Sequence, residues 1–148
     1  MQHTTKPTHI LVAEDNPGDI RLIRLALAEA SNWLTTISVA RDGEQAIKML
    51  EFHQESGMAS PPDLVILDFN LPKRSGTYVL KTIRNSERLN KMPVIVLSSS
   101  PEYFLKEKLK DAQLEATCYF TKPPDFDEFI RLGEQIHHCY EVRRRASG

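Results

Sequence analysis

Residues 9–15 read His-Ile-Leu-Val-Ala-Glu-Asp, a nearly continuous apolar run that ends in two carboxylates. Residues 64–68 (Leu-Val-Ile-Leu-Asp) and 93–98 (Pro-Val-Ile-Val-Leu-Ser) repeat this pattern. Runs that are apolar at successive positions, rather than at alternate ones, are typical of strands buried on both faces of a parallel sheet. Weaker β-branched or aromatic runs at 35–39 and 117–120 complete a set of five predicted strands.

A segment with helical periodicity follows each predicted strand and opens with a start signal. These signals are N-cap side chains, prolines or capping boxes, at Asn16-Pro17, Asp42 with Gln45, Ser75-Gly76, Ser100-Pro101 and Asp125 with Glu128. Strands that alternate with helices predict right-handed crossovers and a parallel sheet with helices on both faces. The sequence therefore predicts an α/β fold of five strands and five helices.

Length and composition indicate one globular domain. The chain has 148 residues, of which 41% are hydrophobic, and its 19 Lys and Arg residues nearly balance its 20 Asp and Glu residues. A chain of this length can bury a core without support from metals or disulfides. We predict one domain at residues 8–142, flexible segments at 1–7 and 143–148, and no output domain.

The composition also argues against several function classes. A net charge of −1 is not that of a dedicated nucleic-acid binder. No apolar run approaches the roughly 20 residues that span a bilayer, and residues 1–6 lack the apolar core of a signal peptide. We therefore expect a cytoplasmic protein without membrane contact. In that reducing compartment we expect Cys118 and Cys139 to be small buried residues rather than a disulfide.

Polar residues follow the predicted strands at their carboxyl ends. Glu14 and Asp15 follow the first strand, Asp68 the third, Ser98 ends the fourth, and Lys122 follows the fifth. With a strand order of 2-1-3-4-5, these strands are consecutive neighbours, and their polar residues meet at one edge of the sheet. Two carboxylates about 4 Å apart repel by roughly 4 kcal/mol at an effective dielectric constant of about 20. One ammonium offsets one of three charges, so we expect Mg²⁺, or Mn²⁺ in its place, at this edge.

Taken together and in this order, these residues resemble the receiver domain of two-component response regulators, from residue 8 to about residue 140. The resemblance implies a CheY-like, flavodoxin-like sheet in the order 2-1-3-4-5. It also implies that Asp68 is the phosphoacceptor, which attacks a phosphohistidine of a sensor histidine kinase and becomes an acyl phosphate. Such a protein is a signalling protein whose chemistry is limited to its own phosphorylation and dephosphorylation.

The resemblance also assigns the residues around the phosphoacceptor. It implies that Asp15, Asp68 and the backbone carbonyl of Asn70 bind Mg²⁺ directly, while Glu14 acts through a bound water. Lys122 is expected to pair with the phosphoryl oxygens. The peptide bond between Lys122 and the proline that follows it is expected to be cis, as it is in the family.

Two further positions match the switch of the family. Ser98 is expected to hydrogen-bond the phosphoryl group and pull its loop inward, and Tyr119 is expected to turn inward as that loop moves. The surface that changes is formed by the fourth helix, the fifth strand and the fifth helix, at residues 101–142. We expect this surface to serve partner binding or a homodimer.

A narrower resemblance concerns stand-alone regulators associated with bacterial phytochromes. It rests on residues 67–76 (Leu-Asp-Phe-Asn-Leu-Pro-Lys-Arg-Ser-Gly), the turn at 16–19 and the long loop at 56–62. A histidine kinase of the phytochrome type is the partner that this resemblance implies.

Three other functions fit parts of the pattern. An aspartate phosphatase needs a second Asp two residues after its nucleophile, where this chain has Asn70, which is no general acid. A flavin-binding electron carrier needs a phosphate-binding loop after the first strand, where Glu14 and Asp15 would repel phosphate. The third alternative is a receiver-like scaffold that binds partners without phosphorylation, and the complete pocket argues against it.

Overall fold

The computed structural model describes residues 6–147, which form ten alternating strands and helices. The strands are β1 (Thr8–Ala13), β2 (Thr35–Ala40), β3 (Leu64–Leu67), β4 (Val94–Ser98) and β5 (Cys118–Thr121). The helices are α1 (Pro17–Glu29), α2 (Gly43–Glu51), α3 (Gly76–Asn85), α4 (Glu102–Asp111) and α5 (Phe126–Ser147). All strand pairs are parallel, and the order β2-β1-β3-β4-β5 confirms the predicted α/β fold.

The sheet is buried on both faces because the side chains of each strand alternate between two apolar clusters. On one face the strands pack against α2, α3 and α4, in a cluster that includes Leu11, Val65, Val96, Leu80 and Leu105. On the other face they pack against α1 and α5, in a cluster that includes Ile10, Ile66, Ile95, Ile23 and Phe129. This explains why β1, β3 and β4 read as continuous apolar runs.

The predicted start signals act as helix caps at four of the five helices. The side chains of Asn16, Asp42, Ser75 and Asp125 each accept the N–H of the third residue that follows, at 2.7 to 3.3 Å. Each such bond is worth about 1 kcal/mol. The exception is α4, whose N-cap is Pro101, a residue without a side-chain acceptor.

The helix α5 extends beyond the predicted boundary at residue 142. It continues to Ser147, and Arg144 donates to the carboxylate of Glu141 at 2.9 Å within its last turns. Positive charge near a helix carboxyl end also suits the helix dipole. Of the segments predicted to be flexible, residues 1–5 and 148 lie outside the described part of the chain.

The two cysteines form a disulfide, so the expectation that they stay unpaired is wrong. Cys118 lies on β5 and Cys139 on α5, and their Cα atoms are 6.7 Å apart, within the range that a disulfide bridges. The two residues are 21 apart in sequence, and they meet because α5 folds back over the face of the sheet to which Cys118 points. Spacing along the chain does not contain this information. The predicted burial of Cys139 is confirmed.

Within residues 6–147, no helix is both long and apolar enough to cross a membrane.

Candidate functional site

The polar residues predicted to converge do meet at the carboxyl edge of the sheet. Lys122, which follows β5, places its Nζ 2.5 Å from Glu14 Oε1 and 3.1 Å from Asp68 Oδ2. Glu14 follows β1 and Asp68 follows β3, so side chains from three strands are joined by one ammonium group. All three are nearly inaccessible to solvent, and charges held in such surroundings interact more strongly than charges in water.

Three carboxylates form a cluster that fits a divalent cation. One carboxylate oxygen from each of Glu14, Asp15 and Asp68 lies within 4.8 Å of the other two. The donors are all oxygens, which suits Mg²⁺ or Mn²⁺. Glu14 and Asp68 are buried while Asp15 is exposed, so solvent can reach the cluster and supply the waters that Mg²⁺ keeps. The residues present therefore fit the predicted ion.

A fourth carboxylate, that of Asp19, belongs to the site and was missed in the sequence. Asp19 Oδ2 lies 2.8 Å from Lys122 Nζ, so the three N–H groups of the ammonium face Glu14, Asp19 and Asp68. Asp19 lies in the first turn of α1, and that turn starts at the same edge of the sheet. The signal that could have found it is an acidic residue in the first turn of the helix that follows the Glu14–Asp15 pair.

The electrostatics of the site reflect its excess of negative charge. The pKa of Glu14 is raised to about 7, mainly by burial and in part by the charge of Asp68, while the hydrogen bonds from Lys122 and from the N–H of Asn16 act in the opposite direction. Burial alone would lower the pKa of Lys122, but its hydrogen bonds to Asp19 and Glu14 outweigh this effect and hold it above its usual value. Three carboxylates thus contact one ammonium and Asp15 adds a fourth negative charge beside them, so a cation would relieve the repulsion in the cluster.

The loop after Asp68 is held tightly against the sheet. The N–H of Asn70 donates to Asp68 Oδ1 at 3.1 Å, and the N–H of Gly76 donates to the carbonyl of Phe69 at 3.0 Å. A Cβ at Gly76 would overlap the backbone carbonyl of Asp68, so glycine permits this close approach. The structure places Asn70 beside the phosphoacceptor candidate; its carbonyl as a metal ligand stays a prediction.

Of the predicted switch residues, Ser98 ends β4 and Tyr119 lies within β5. Ser98 is fully buried, and its carbonyl accepts the N–H of Lys122 at 2.7 Å. The hydroxyl of Thr121 donates to the carbonyl of Ser100 at 3.0 Å. The first bond joins the end of β4 to Lys122, and the second joins the β4–α4 loop to the end of β5.

Tyr119 lies on β5 and faces α4. Its half-buried ring packs against the cluster formed with α2, α3 and α4, and its hydroxyl accepts the N–H of Ala116 at 3.1 Å. The ammonium of Lys106 on α4 lies 5.6 Å from the ring centroid. Tyr119 on β5 therefore lies against α4; its role as a switch residue stays a prediction.

The expected cis peptide bond before Pro123 is not present. No cis peptide bond occurs within the described residues, and the bond between Lys122 and Pro123 is trans. The intrinsic preference between the two isomers before proline is only about 0.5–1 kcal/mol, so sequence alone does not decide it. With this bond in trans, the Lys122 side chain reaches all three carboxylates.

Comparison with known proteins decides the family. The family profile described as response regulator receiver domain matches residues 10–132. The chain belongs to the response regulator receiver family. This receiver is 36% identical over 143 residues to the probable methanogenesis regulatory protein FilR2 of Methanothrix harundinacea, covering 96% of this chain and 89% of that protein. It is 31% identical over 130 residues to the response regulator Rcp1 of Synechocystis sp., covering 88% and 86% of the two chains.

Solved structures agree with this assignment. The phosphorylated cyanobacterial phytochrome response regulator RcpA superimposes on this receiver with a TM-score of 0.78 at 34% identity, over 91% of this chain and 94% of that one. The Mn²⁺-bound form of Rcp1 superimposes with a TM-score of 0.75 at 30% identity, over 88% and 92% of the chains. These similarities confirm the receiver fold and the resemblance to phytochrome response regulators. A manganese-bound relative is consistent with the acidic cluster as a site for a divalent ion.

Proposed function

We infer that this receiver accepts a phosphoryl group from a phosphohistidine of a sensor histidine kinase onto Asp68, with Mg²⁺ bound beside it. One observation carries the proposal: the buried carboxylate of Asp68 contacts the ammonium of Lys122 at the edge of an oxygen cluster that opens to solvent at Asp15. A nucleophile, a fixed cation and a metal-binding cluster at one point are the requirements for phosphoryl transfer.

In the proposed reaction, a carboxylate oxygen of Asp68 attacks the phosphorus atom of the phosphohistidine. The new O–P bond forms as the P–N bond breaks, and the imidazole nitrogen leaves with the electron pair. Lys122 donates an N–H to a phosphoryl oxygen from the position in which it now contacts Asp68. Asp15, Asp68 and the carbonyl of Asn70 would hold Mg²⁺, with Glu14 acting through a water. The ion would supply positive charge to the phosphoryl oxygens.

The proposed response begins at Ser98 and Tyr119. The hydroxyl of Ser98 would donate to the phosphoryl group and draw the β4–α4 loop inward, and the Thr121–Ser100 bond ties this loop to β5. Tyr119 would follow by turning inward from its contact with α4. The surface at residues 101–142 would then bind a partner or a second copy of the chain.

The finer parts of the proposal concern the cellular setting. The receiver unit is taken as residues 8–142, the location as the cytoplasm, and the kinase as one of the phytochrome type. RcpA, which is a phytochrome response regulator, supports the choice of kinase by its similarity to this chain. The protein acts as a phosphoacceptor rather than as an enzyme with a separate substrate, and it needs neither nucleic acid nor membrane.

The test is the intact mass of the protein after incubation with Mg²⁺ and acetyl phosphate or phosphoramidate. We expect one added phosphoryl group in the wild type and in an Asp127→Asn control, which alters an exposed carboxylate on α5. We expect none in Asp68→Asn or in the presence of EDTA. A gain that is indifferent to Asp68 or to EDTA, or no gain at all, would overturn the proposal.

A further inference from the structure

The disulfide joins two elements of the surface that is proposed to respond to phosphorylation. Cys118 and Tyr119 are adjacent on β5, so their side chains point to opposite faces of the sheet. Tyr119 packs with the α4 side of the molecule, and Cys118 packs with the α1 and α5 side. The strand β5 is thus held on one face by a tyrosine ring and on the other by a covalent bond to α5.

Apart from this bond, α5 is anchored mainly to α1 and to the loop that follows α1. A Cβ at Gly133 would overlap the carbonyl of Ala26, so the two helices touch through their backbones. Glu134 accepts the N–H of Ser31 at 2.6 Å. One turn later, the ring of His137 stacks on Trp33 with centroids 4.4 Å apart. These contacts hold α5 whether or not the disulfide exists.

Between β5 and α5 lies an open groove of about 650 Å³ that gives access to the disulfide. Both cysteines line it, together with Phe120, His138 and Val142. Cys118 is half-buried, whereas Cys139 is buried. Of the two cysteines, Cys118 is therefore the one more exposed to a small dithiol in the groove.

We propose that Cys118 and Cys139 form a reversible thiol–disulfide site whose substrates are dithiol reductants, and that its redox state sets how firmly α5 follows β5. In reducing compartments disulfides are rare, and those present are commonly redox-sensing or catalytic. The link to signalling rests on the proposed function, because it assumes that β5 moves on phosphorylation. The reversible chemistry of the pair does not depend on that assumption.

The exchange proceeds in two balanced steps. A thiolate of the reductant attacks Sγ of Cys118, a mixed disulfide forms, and Sγ of Cys139 leaves as a thiolate that takes up a proton. The second thiolate of the same reductant molecule then attacks the reductant sulfur that is bonded to Cys118. Cys118 leaves as a thiolate and takes up a proton. Two electrons and two protons pass to the protein, and the dithiol becomes a cyclic disulfide.

Reduction should loosen the end of α5 that lies beyond its anchors on α1 and on the loop that follows α1. Cys139 lies close to the last of these anchors, since Tyr140 also stacks near Trp33 at 5.9 Å. Cys139 and Tyr140 are the last residues of α5 in the apolar cluster on this face of the sheet, so residues 141–146 lie beyond both ties and lose one of them on reduction. In the oxidised state, movement of β5 is passed to α5 through a covalent bond; in the reduced state it is not.

The first experiment tests the chemistry of the pair. The folded protein is treated with dithiothreitol without denaturant, alkylated with iodoacetamide and weighed intact. We expect no alkylation before treatment and two alkyl groups after it, with none in a Cys118→Ala/Cys139→Ala double variant. Two alkyl groups without reductant, or none until denaturant is added, would overturn the proposal.

The second experiment tests the coupling by hydrogen exchange in the oxidised and reduced forms. We expect exchange across residues 139–146 to rise by about tenfold on reduction, with no change in α1, because local opening is limited by the ties nearest to it. The double variant should match the reduced form under both conditions, which separates loss of the bond from direct effects of dithiothreitol. Equal exchange in the two forms would overturn the coupling.

Running the same comparison in Asp68→Asn distinguishes this inference from the proposed function. In this variant hydrogen exchange in α5 should still rise on reduction, because Asp68 takes no part in the proposed thiol–disulfide exchange. If the wild type takes up no phosphoryl group but α5 still responds to reduction, the proposed function fails and the redox site stands. If phosphorylation succeeds and reduction changes nothing, the redox site fails alone.

Discussion

The two ends of the same sheet treat polar groups in opposite ways. At the amino end, His9 is buried and its groups are paired: Nε2 lies 2.8 Å from Ser38 Oγ, and its backbone N–H donates to Asp63 Oδ2 at 2.8 Å. At the carboxyl end, the ammonium of Lys122 is shared among three carboxylates, and Asp15 adds a fourth negative charge to the cluster.

The amino edge of the sheet therefore contributes to stability, whereas the carboxyl edge is suited to bind an ion. At the amino end the polar groups of His9 are already hydrogen-bonded within the protein, so they are not free to bind a ligand. Their bonds stabilise the fold, because burial would otherwise leave these groups unpaired. An excess of like charge costs stability and is relieved when a cation arrives. The carboxyl edge is therefore the end of the sheet where binding an ion has the most to gain.

The largest expected effect on stability comes from removing the shared ammonium. Lys122→Met leaves buried carboxylates without their cation, which should lower the free energy of unfolding by about 3 kcal/mol in EDTA. Urea unfolding measures this loss, and Mg²⁺ should restore part of it.

The matched control for that variant is Lys48→Met. Lys48 forms an exposed pair with Glu44 at 3.7 Å, and such pairs contribute roughly 0.5 kcal/mol or less. Equal losses in Lys48→Met and Lys122→Met would contradict the account of the carboxyl edge.

A smaller effect is expected from the carboxylate that the sequence did not reveal. Asp19→Asn removes one negative charge near the cluster and frees one N–H of Lys122, so Mg²⁺ should bind up to roughly tenfold more weakly by the Coulomb estimate for nearby charges. Isothermal titration calorimetry measures this affinity. The control is Asp125→Asn, which changes the N-cap of α5 outside the cluster and should bind Mg²⁺ with the wild-type affinity. If Asp19→Asn also binds Mg²⁺ with unchanged affinity, Asp19 does not belong to the site.

A comparable change at the amino edge should affect stability alone. Ser38→Ala removes the hydroxyl that pairs with His9 Nε2, which should cost about 1 kcal/mol of unfolding free energy. Phosphorylation by acetyl phosphate should proceed at the wild-type rate. A loss of phosphorylation in this folded variant would show that the two edges are not independent.

The last expected effect is a dependence of stability on pH. The pKa of Glu14 is raised from 4.5 to about 7 in the folded chain, so the folded state holds more protons than the unfolded state between these values. The free energy of unfolding should therefore fall as pH rises through this window in EDTA. Thermal unfolding across the window checks this.

Two comparisons isolate the contribution of Glu14 to that pH dependence. Mg²⁺ should flatten the decline, and Glu14→Gln should reduce it, whereas Glu44→Gln, at an exposed site on α2, should leave it intact. A decline that is identical in Glu14→Gln and in the wild type would assign it to other groups.

Most of the fold was predictable because its signals are local. Apolar runs report strands buried on both faces, and residues such as Asn16 and Asp42 report helix starts through a bond to the third residue that follows. The convergence of Glu14, Asp68 and Lys122 was predictable for a related reason, since parallel strands bring their carboxyl ends to one edge.

What the sequence did not reveal depends on contacts between distant elements. Asp19 joins the site through the direction in which the first turn of α1 faces, and Cys118 meets Cys139 through the path of α5 over the sheet. The isomer of the bond before Pro123 depends on a small energy difference that the surrounding contacts settle. Of these three features only Asp19 has a local signal, its place in the first turn of the helix that follows Glu14 and Asp15; the disulfide and the peptide isomer have none.

The most direct test of the central claim is to locate the phosphoryl group on the chain. The protein is phosphorylated with acetyl phosphate and Mg²⁺, the acyl phosphate is reduced with borohydride, which converts the modified aspartate to homoserine, and the peptides are sequenced by mass spectrometry. We predict homoserine at position 68 alone, with Asp15, Asp19 and Asp63 unchanged. Homoserine at another carboxylate, or at none while Asp68 stays intact, would contradict the assignment of the carboxyl edge as a phosphoacceptor site.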